Sequence, residues 1–319
     1  MNMSESISVI PDRQPVAPQW SISPREYEHA DPHALPFDML HIPDAPQVIP
    51  LSDVYINANG VLRKTDNLTL EHQITRRASA RQQESQLSSG IKLFDGRISR
   101  LHPQDIEYTD KAHINIRLGE TTYFTYVGTR GKESLRKYGY DRLGLPLGVC
   151  SIVTTPSTDG STKILYTKRG VVNETYAGWY HGVGGTVQTF DGGIVDPTNA
   201  LRKEIFEELG LDTSACRVSG VLGIVMNTVD VHPELVYASQ TKDFIETWLP
   251  HTHTDKEGEI GYFTDTAENL EAFVLGKSFS DVPDARPIVP SGLAGYLLYG
   301  RVKYGRGWYD RVFRQIPQY

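Results

Sequence analysis

Cysteine is scarce in this chain. Its 319 residues contain only Cys150 and Cys216, which lie far apart and belong to no Cys-x-x-Cys pair. This scarcity argues against a disulfide framework, and we expect both residues to be ordinary buried thiols in a reducing compartment.

Long apolar runs, a secretory leader and an excess of basic residues are also absent from the sequence. No stretch approaches the roughly 18 apolar residues that a membrane helix needs. The N-terminal MNMSESISVIPDRQ has neither the basic nor the apolar region of a signal peptide. The net charge is -7, whereas nucleic-acid-binding proteins usually carry a basic excess. We therefore expect a cytoplasmic protein that binds neither membrane nor nucleic acid.

Three familiar site motifs are incomplete. The loop HGVGG resembles an esterase oxyanion loop, but the chain has no Gly-x-Ser-x-Gly. The segment GTRGK lacks the first glycine of a phosphate-binding P-loop and the Ser or Thr after its lysine. His251 and His253 form His-x-His, but no further cysteine or histidine flanks them at zinc spacing, so we expect a polar loop there.

Composition divides the chain into three parts. Residues 1–50 contain nine prolines, a density that prevents long helices and central strands, and they predict an extended arm. Residues 51–137 predict a small β-rich accessory domain, which also includes a helix at residues 68–87. Residues 138–319 predict a larger domain.

Alternating apolar residues predict a hairpin at residues 114–126 of the accessory domain. Ile114, Ile116 and Leu118 face one way, Gly119 and Glu120 form a turn, and a second strand runs over residues 123–126. The polar segment that follows, up to residue 144, predicts a connector with one short helix.

The larger domain alternates strands with helices. Strands are predicted in GVCSIVTT, KILYTKRG, VSGVLGIVMNT, ELVYASQTK and EIGYFTD. A C-terminal helix is predicted in SGLAGYLLYGRVKYG, with Leu293, Tyr296 and Leu297 directed inward. This order predicts the α/β class, with a mixed sheet packed between helices.

A helix at residues 197–209 has clear boundaries in the sequence. Asp196 is a good N-cap, Pro197 fits the first helical position, and Gly210 suits the C-terminal cap. We expect its buried side to consist of Leu201, Ile205, Phe206 and Leu209.

Three glutamates share the other side of this helix. Glu204, Glu207 and Glu208 lie within about 100° of arc, and a solvated acidic face is the simplest explanation for an average helix. Two features favour a metal site instead. The acids fall in the C-terminal half, where the helix dipole disfavours negative charge, and a glycine-rich loop, HGVGGT, lies just upstream. A tight carboxylate set suits Mg²⁺ or Mn²⁺, with substrate phosphates completing the coordination shell.

The segment GGTVQTFDGGIVDPTNALRKEIFEELGL resembles the signature of the Nudix hydrolases. That signature is Gly, five residues, Glu, seven residues, and then Arg-Glu-U-x-Glu-Glu-x-Gly-U, in which U is aliphatic. Six of the seven specified positions in the second half agree, and the exception is Lys203 in place of Arg. In the first half, Gly185 and Asp191 keep the spacing with a shorter acid, and 11 residues rather than seven separate Asp191 from Lys203.

This resemblance implies a Nudix α/β/α sandwich over about residues 140–319 and a metal-dependent hydrolase. It implies that Glu204, Glu207 and Glu208 hold the metal, with the Gly185 carbonyl as a further candidate ligand. It also implies that Lys203 steadies the glutamates. Lysine is a single point charge, whereas arginine clamps a carboxylate with two parallel bonds, so we expect Lys203 to steady them less well.

A narrower resemblance covers the accessory domain. The segments LFDGRISRL, INIRLGETTYFTYVGT and LGLPLGV are similar to the N-terminal region of the animal UDP-glucose and UDP-galactose pyrophosphatase branch of the superfamily. This resemblance implies that a UDP-sugar is cleaved to UMP and sugar 1-phosphate.

Several other residues are candidates for contact with a substrate. Lys168 and Arg169 end a strand that leads toward the site, where they either hold phosphate or form an exposed strand end. Gly184 and Gly185 belong to the glycine-rich loop. Asn227 either forms a hydrogen bond with the substrate or ends a strand.

The general base is either one of the helix glutamates or one of Glu257 and Glu259. These two residues lie where many Nudix enzymes place a loop acid, although a solvated turn would explain them as well. The expected function is metal-dependent hydrolysis of a nucleoside diphosphate linked to another group, with a UDP-sugar as the favoured substrate. The alternative is a Nudix-fold module that binds a nucleotide without hydrolysing it, which Lys203, Asp191 and the longer loop motivate.

Overall fold

The structure is a computed structural model, and it describes residues 35–43, 47–57, 95–110, 113–170, 175–189, 196–252, 258–277 and 287–316. Most of the predicted proline-rich arm and the helix predicted at residues 68–87 lie outside the described residues. Asp191, His253 and Glu257 also lie outside them.

Strands make up much of the described chain. They are β1 (Phe37–His41), β2 (Val54–Asn57), β3 (Arg97–Arg100), β4 (Ile106–Asp110), β5 (His113–Arg117), β6 (Gly119–Thr122), β7 (Gly148–Pro156), β8 (Thr162–Arg169), β9 (Tyr180–His181), β10 (Val183–Thr186), β11 (Cys216–Asn227), β12 (His232–Thr241) and β13 (Gly258–Thr264). The helices are α1 (Tyr123–Thr129), α2 (Lys132–Tyr138), α3 (Pro197–Leu209), α4 (Ile245–Trp248), α5 (Ala267–Val274), α6 (Pro290–Tyr304) and α7 (Arg306–Phe313).

A mixed sheet forms the centre of the molecule. Its main path runs β1-β11-β12-β7-β8-β13, and β10 pairs with β7 while β9 pairs with β8. Strands β12 and β7 run parallel, whereas β11 with β12 and β7 with β8 run antiparallel. The strands predicted in the larger domain are therefore confirmed as members of one mixed sheet.

Helices cover both faces of this sheet because side chains alternate along each strand. On one face, Leu201 of α3 belongs to a buried cluster with Val149 and Leu235. On the other face, Leu297 of α6 belongs to a second cluster with Val236. The predicted α/β class, with a mixed sheet between helices and smaller N-terminal sheets, is confirmed.

The N-terminal strands share the first of these cores. Strands β2, β5 and β4 form one small sheet, and β3 and β6 form another. Ile114, Ile116 and Leu118 are almost fully buried in the same cluster as Val149 and Leu201. Residues on both sides of the predicted boundary at residue 137 therefore pack together, and the domain boundaries themselves stay predictions.

The described end of the proline-rich arm adds an edge to the central sheet. Phe37 of β1 pairs with Asn227 of β11, and Ile49 forms an isolated bridge with Val221. An edge strand tolerates nearby prolines because one side of it makes no sheet hydrogen bonds.

The hairpin predicted at residues 114–126 is wrong. Strand β5 pairs with β2 and β4, whereas β6 pairs with β3. Residues 123–126 begin the helix α1, because the Thr122 side chain accepts a hydrogen bond from the backbone N–H of Thr125 and caps that helix. The short helix predicted in the polar connector is confirmed as α2.

Helix α3 has the bounds that its capping residues predict. Asp196 accepts a hydrogen bond from the Thr198 N–H at 2.9 Å, and Gly210 has a left-handed φ of 69°. One prediction about its faces is wrong, because Phe206 is 59% exposed. The C-terminal helix is confirmed as α6, with Leu293, Tyr296 and Leu297 buried. Among the described residues, no helix is long and apolar enough to cross a membrane.

Candidate metal and substrate site

The carboxylate of Glu204 lies directly against Gly185 of β10. A Cβ atom built on Gly185 would be 2.5 Å from Cδ and Oε1 of Glu204, so any larger residue must move that carboxylate. Strand β10 is held in place because Gly185 pairs with Val149 of β7. The two halves of the signature-like segment therefore meet in space.

Glu207 is turned toward solvent. It forms an ion pair with Lys203 at 3.2 Å, and the two side chains are 51% and 49% exposed. An exposed pair one helical turn apart contributes roughly 0.3–0.5 kcal/mol, so it rearranges easily. Lys203 therefore contacts one glutamate of the predicted set.

Glu208 faces the end of the sheet that carries Cys150. Burial raises the pKa of the Cys150 thiol well above its usual value, and the charges of Glu234 and Glu208 add to this increase. Glu208 itself is half-buried. The structure therefore directs Glu204 and Glu208 toward the sheet and Glu207 away from it.

The surroundings of Glu204 and Glu208 fit a hard divalent cation. The Gly185 backbone forms a cradle for the Glu204 carboxylate that a Cβ atom would fill. Carboxylate oxygens are the donors that Mg²⁺ prefers, and one or two protein carboxylates are its usual number. In the described part of the chain, however, the three side chains whose ligand-type atoms all lie within 4.8 Å of one another are Cys150, His181 and Glu234.

Two of the other candidate residues contact each other across neighbouring strands. Lys168 of β8 lies opposite Glu259 of β13, and its Nζ is 2.7 Å from Glu259 Oε2. Arg169 uses its Nε to donate a hydrogen bond to the Thr175 carbonyl at 3.2 Å. The basic residues at the end of β8 thus lie beside one of the candidate loop acids.

Asn227 is fully buried and holds the turn after β11. Its Oδ1 accepts hydrogen bonds from the N–H groups of Val229 and Asp230, at 2.9 and 3.2 Å, and its Nδ2 donates to the Tyr176 hydroxyl at 3.2 Å. These contacts favour the second alternative for Asn227, a residue that ends a strand.

Gly184 has a packing role in the glycine-rich loop. A Cβ atom on Gly184 would be 2.0 Å from the Val149 carbonyl oxygen, and this backbone atom cannot move aside. Glycine at this position is therefore required for β10 to approach β7.

A buried polar cluster, close enough to Glu208 for its charge to act on Cys150, carries no signal in the sequence. Cys150 on β7, His181 on β9 and Glu234 on β12 bring their ligand-type atoms within 4.8 Å of one another. His232 Nε2 lies 2.8 Å from Glu234 Oε1, and the Ser291 hydroxyl donates to the same oxygen at 2.6 Å. No sequence spacing reveals this cluster, because its members come from separate strands and from the start of α6. Both cysteines are buried free thiols, as predicted.

The pKa values of Glu234 and of the two histidines in this cluster shift in different directions. Burial alone would raise the pKa of Glu234, but the hydrogen bond with His232 and the charges of both histidines outweigh it and lower that pKa to about 2. Burial lowers the pKa of His181. Burial also opposes protonation of His232, but its hydrogen bond with Glu234 raises the pKa of His232 overall. The pKa shifts thus favour the charged forms of Glu234 and His232 and the neutral form of His181.

Comparison with known proteins gives structural likeness alone. No family model and no curated protein matches the chain. A Nudix hydrolase from M. smegmatis, RenU, is similar at 14% identity over 50% of this chain and 86% of its own, with a TM-score of 0.35. An ADP-ribose pyrophosphatase from Streptococcus suis is similar at 16% identity over 51% of this chain and 96% of its own, with a TM-score of 0.29.

A third similar structure was solved with DNA. Shewanella oneidensis NrtR, solved with a 27mer DNA, is similar at 11% identity over 53% of this chain and 63% of its own, with a TM-score of 0.30. These matches belong to the superfamily that the signature-like segment resembles, but at such TM-scores they do not assign an activity. The expected lack of nucleic-acid binding therefore stays a prediction.

Proposed function

We propose that this chain is a divalent-metal-dependent hydrolase of the Nudix type, which cleaves a nucleoside diphosphate linked to another group. The observation that carries the proposal is the contact between Gly185 and Glu204. The resemblance places metal ligands at these two positions, and the fold brings them together across the loop that the sequence inserts between them.

Each protein group has a part in the proposed chemistry. Glu204 and Glu208 would hold Mg²⁺ or Mn²⁺, with the Gly185 carbonyl as a further candidate ligand. The bound cation would supply charge neutralisation for the diphosphate and would lower the pKa of an attacking water. Glu207 becomes available as a base when its exposed pair with Lys203 opens, and Glu259 is the alternative base.

We also propose which residues bind the phosphates and which substrate is cleaved. Lys168 would leave its ion pair with Glu259 and bind an outer phosphate oxygen of the substrate. Arg169 would add a second positive charge beside Lys168. We propose a UDP-sugar as the substrate, split to UMP and sugar 1-phosphate, from the resemblance of the accessory segments.

The accessory segment is well placed to influence this site. Ser99 of β3 donates its N–H to the Val187 carbonyl, just after β10, and its own carbonyl accepts from the Leu147 N–H, both at 2.8 Å. The accessory domain therefore forms backbone hydrogen bonds next to the strand that carries Gly185. These contacts support a role for this domain in substrate selection.

A panel of nucleotide sugars tests the proposal. The full chain, Glu208→Gln and Glu268→Gln are incubated with Mg²⁺ and each substrate, and the products are separated by chromatography. We expect cleavage of UDP-glucose or UDP-galactose by the parent chain and by Glu268→Gln. Glu268 is exposed on α5, which packs into a different core cluster from α3. The rate should fall by at least about 100-fold in Glu208→Gln and with EDTA, since the cation supplies several kcal/mol of charge stabilisation.

The pairing of Lys203 with Glu207 favours one alternative, a module that binds a nucleotide without hydrolysing it. In that case the panel would show no product with any divalent cation, while calorimetry would still detect binding of a UDP-sugar. Cleavage of other diphosphates with UDP-sugars intact would refute the substrate and keep the hydrolase.

A further inference from the structure

We infer that Cys150, His181 and Glu234 form a second metal site, one for a transition-metal ion of the zinc class. Its three residues lie on β7, β9 and β12, whereas the glutamates of the carboxylate site lie on α3. The two sites are neighbours, because the charge of Glu208 acts on the Cys150 thiol. The ligand atoms of the second metal site would be the Cys150 sulfur, His181 Nε2 and Glu234 Oε2.

The tautomer of His181 is set by a backbone carbonyl. His181 Nδ1 lies 2.9 Å from the Gly182 carbonyl oxygen, which can only accept a hydrogen bond, so Nδ1 carries the proton. Nε2 of the neutral ring therefore presents a lone pair to the cluster. A histidine that ligates a metal is commonly oriented by this kind of contact from its other nitrogen.

Glu234 directs a second acceptor at the same point. Its side chain is 7% exposed, and Oε2 is buried without a hydrogen bond within the described residues. The Ser291 hydroxyl, 3.4 Å from Nε2, already donates its proton to Glu234 Oε1 at 2.6 Å. Two electron-pair donors thus face each other with no hydrogen between them.

The spacing of these atoms distinguishes a shared cation from a hydrogen bond. Nε2 of His181 and Oε2 of Glu234 are 3.7 Å apart, which is too long for a hydrogen bond. Tetrahedral zinc with bonds of about 2.0–2.3 Å places its ligand atoms roughly 3.3–3.6 Å apart. The observed separation therefore lies close to that of two ligands of one ion.

Three glycines enclose the three ligand residues. A Cβ atom on Gly182 would be 2.7 Å from the Cys150 sulfur, one on Gly148 would be 2.6 Å from Glu234 Cγ, and one on Gly292 would be 2.9 Å from His181 Cδ2. The side chains are therefore held tightly by backbone that has no room for larger residues.

Ligand chemistry selects the class of ion. Thiolate and imidazole favour zinc-class ions, whereas Mg²⁺ takes oxygen donors. On binding, the Cys150 thiol would release its proton to solvent, and the thiolate and the Glu234 carboxylate would together balance a dication. His232 would continue to donate to Glu234 Oε1, as it does in the structure.

Cobalt substitution of the full chain tests the site. Protein produced in cobalt-supplemented medium and then dialysed against excess Mg²⁺ should show sulfur-to-cobalt charge-transfer absorption in the near ultraviolet. The chain has only two cysteines, so Cys216→Ser is a matched control. A band that persists in Cys216→Ser must come from Cys150, and this conclusion holds even if Cys150→Ser does not fold.

Two further variants sharpen the result. Glu234→Gln keeps the shape of the side chain and is expected to weaken cobalt binding by at least about 10-fold, and Cys150→Ser should lose the band. Absence of the band from the parent chain, or its loss in Cys216→Ser, would overturn the inference. This readout does not depend on nucleotide hydrolysis, so failure of the proposed function would leave it intact.

Discussion

At the scale of single residues, the adjacent glycines of β10 have different neighbours. The missing Cβ of Gly184 would be nearest to the Val149 backbone, whereas the three atoms nearest to that of Gly185 belong to the end of the Glu204 side chain. A flexible carboxylate can move aside, but a paired backbone cannot. Substitution at the two positions should therefore separate stability from activity.

We predict that Gly185→Ala folds but loses most of its hydrolytic activity. The new methyl group displaces the Glu204 carboxylate from its cradle and so removes a metal ligand from its position. Initial rates with Mg²⁺ should fall by at least about 10-fold, the loss that follows when a ligand is mispositioned, while Tm changes little.

Two other alanine variants serve as controls for this experiment. In Gly307→Ala, in α7, the new Cβ meets nothing within 4 Å beyond the neighbouring residues and backbone of its own helix, so this variant should keep full activity. Gly184→Ala should lower Tm strongly. Unchanged rates in Gly185→Ala would show that the contact with Glu204 does not matter for catalysis.

At the scale of elements, α3 depends on its capping residues to present the glutamates. Asp196 satisfies the N–H of Thr198, and Gly210 adopts the left-handed conformation that ends the helix. These are local signals, and for that reason both ends of α3 were predictable. Helix α1 shows the opposite case, since the cap at Thr122 overrides an alternating apolar pattern.

We predict that Asp196→Ala destabilises the protein by about 1 kcal/mol, the usual contribution of an N-cap. Urea unfolding followed by circular dichroism measures the change. Asp196→Asn is the matched control, because asparagine caps helices as well as aspartate does. An equal decrease in the free energy of unfolding of both variants would mean that the charge of Asp196, and not its hydrogen bond, stabilises the start of the helix.

At the scale of the whole molecule, one buried cluster crosses the predicted boundary between the accessory and larger domains. Ile116 of β5 is fully buried in the same cluster as Leu201 of α3 and Trp248. Burial of this kind ties the stability of the small sheets to that of the central sheet.

We predict that Ile116→Ala lowers the stability of both parts together, by about 2–5 kcal/mol, because it leaves a cavity in the shared core. Calorimetry should show a single transition shifted to lower temperature. Tyr55→Thr is the control, since Tyr55 is 54% exposed and threonine suits a strand. Two separate transitions, with only one of them shifted, would contradict a shared core.

Sequence patterns by themselves determined the α/β class, the main strands, and the bounds of α3, because alternation and caps act between residues close in the chain. They also placed Glu204 and Gly185 among the candidates. Only the tertiary structure decided that Glu207 turns toward Lys203, that Phe206 is exposed, and how β5 and β6 pair. It alone assembled the cluster of Cys150, His181 and Glu234, because sheet order brings together strands whose separation in sequence carries no periodic signal.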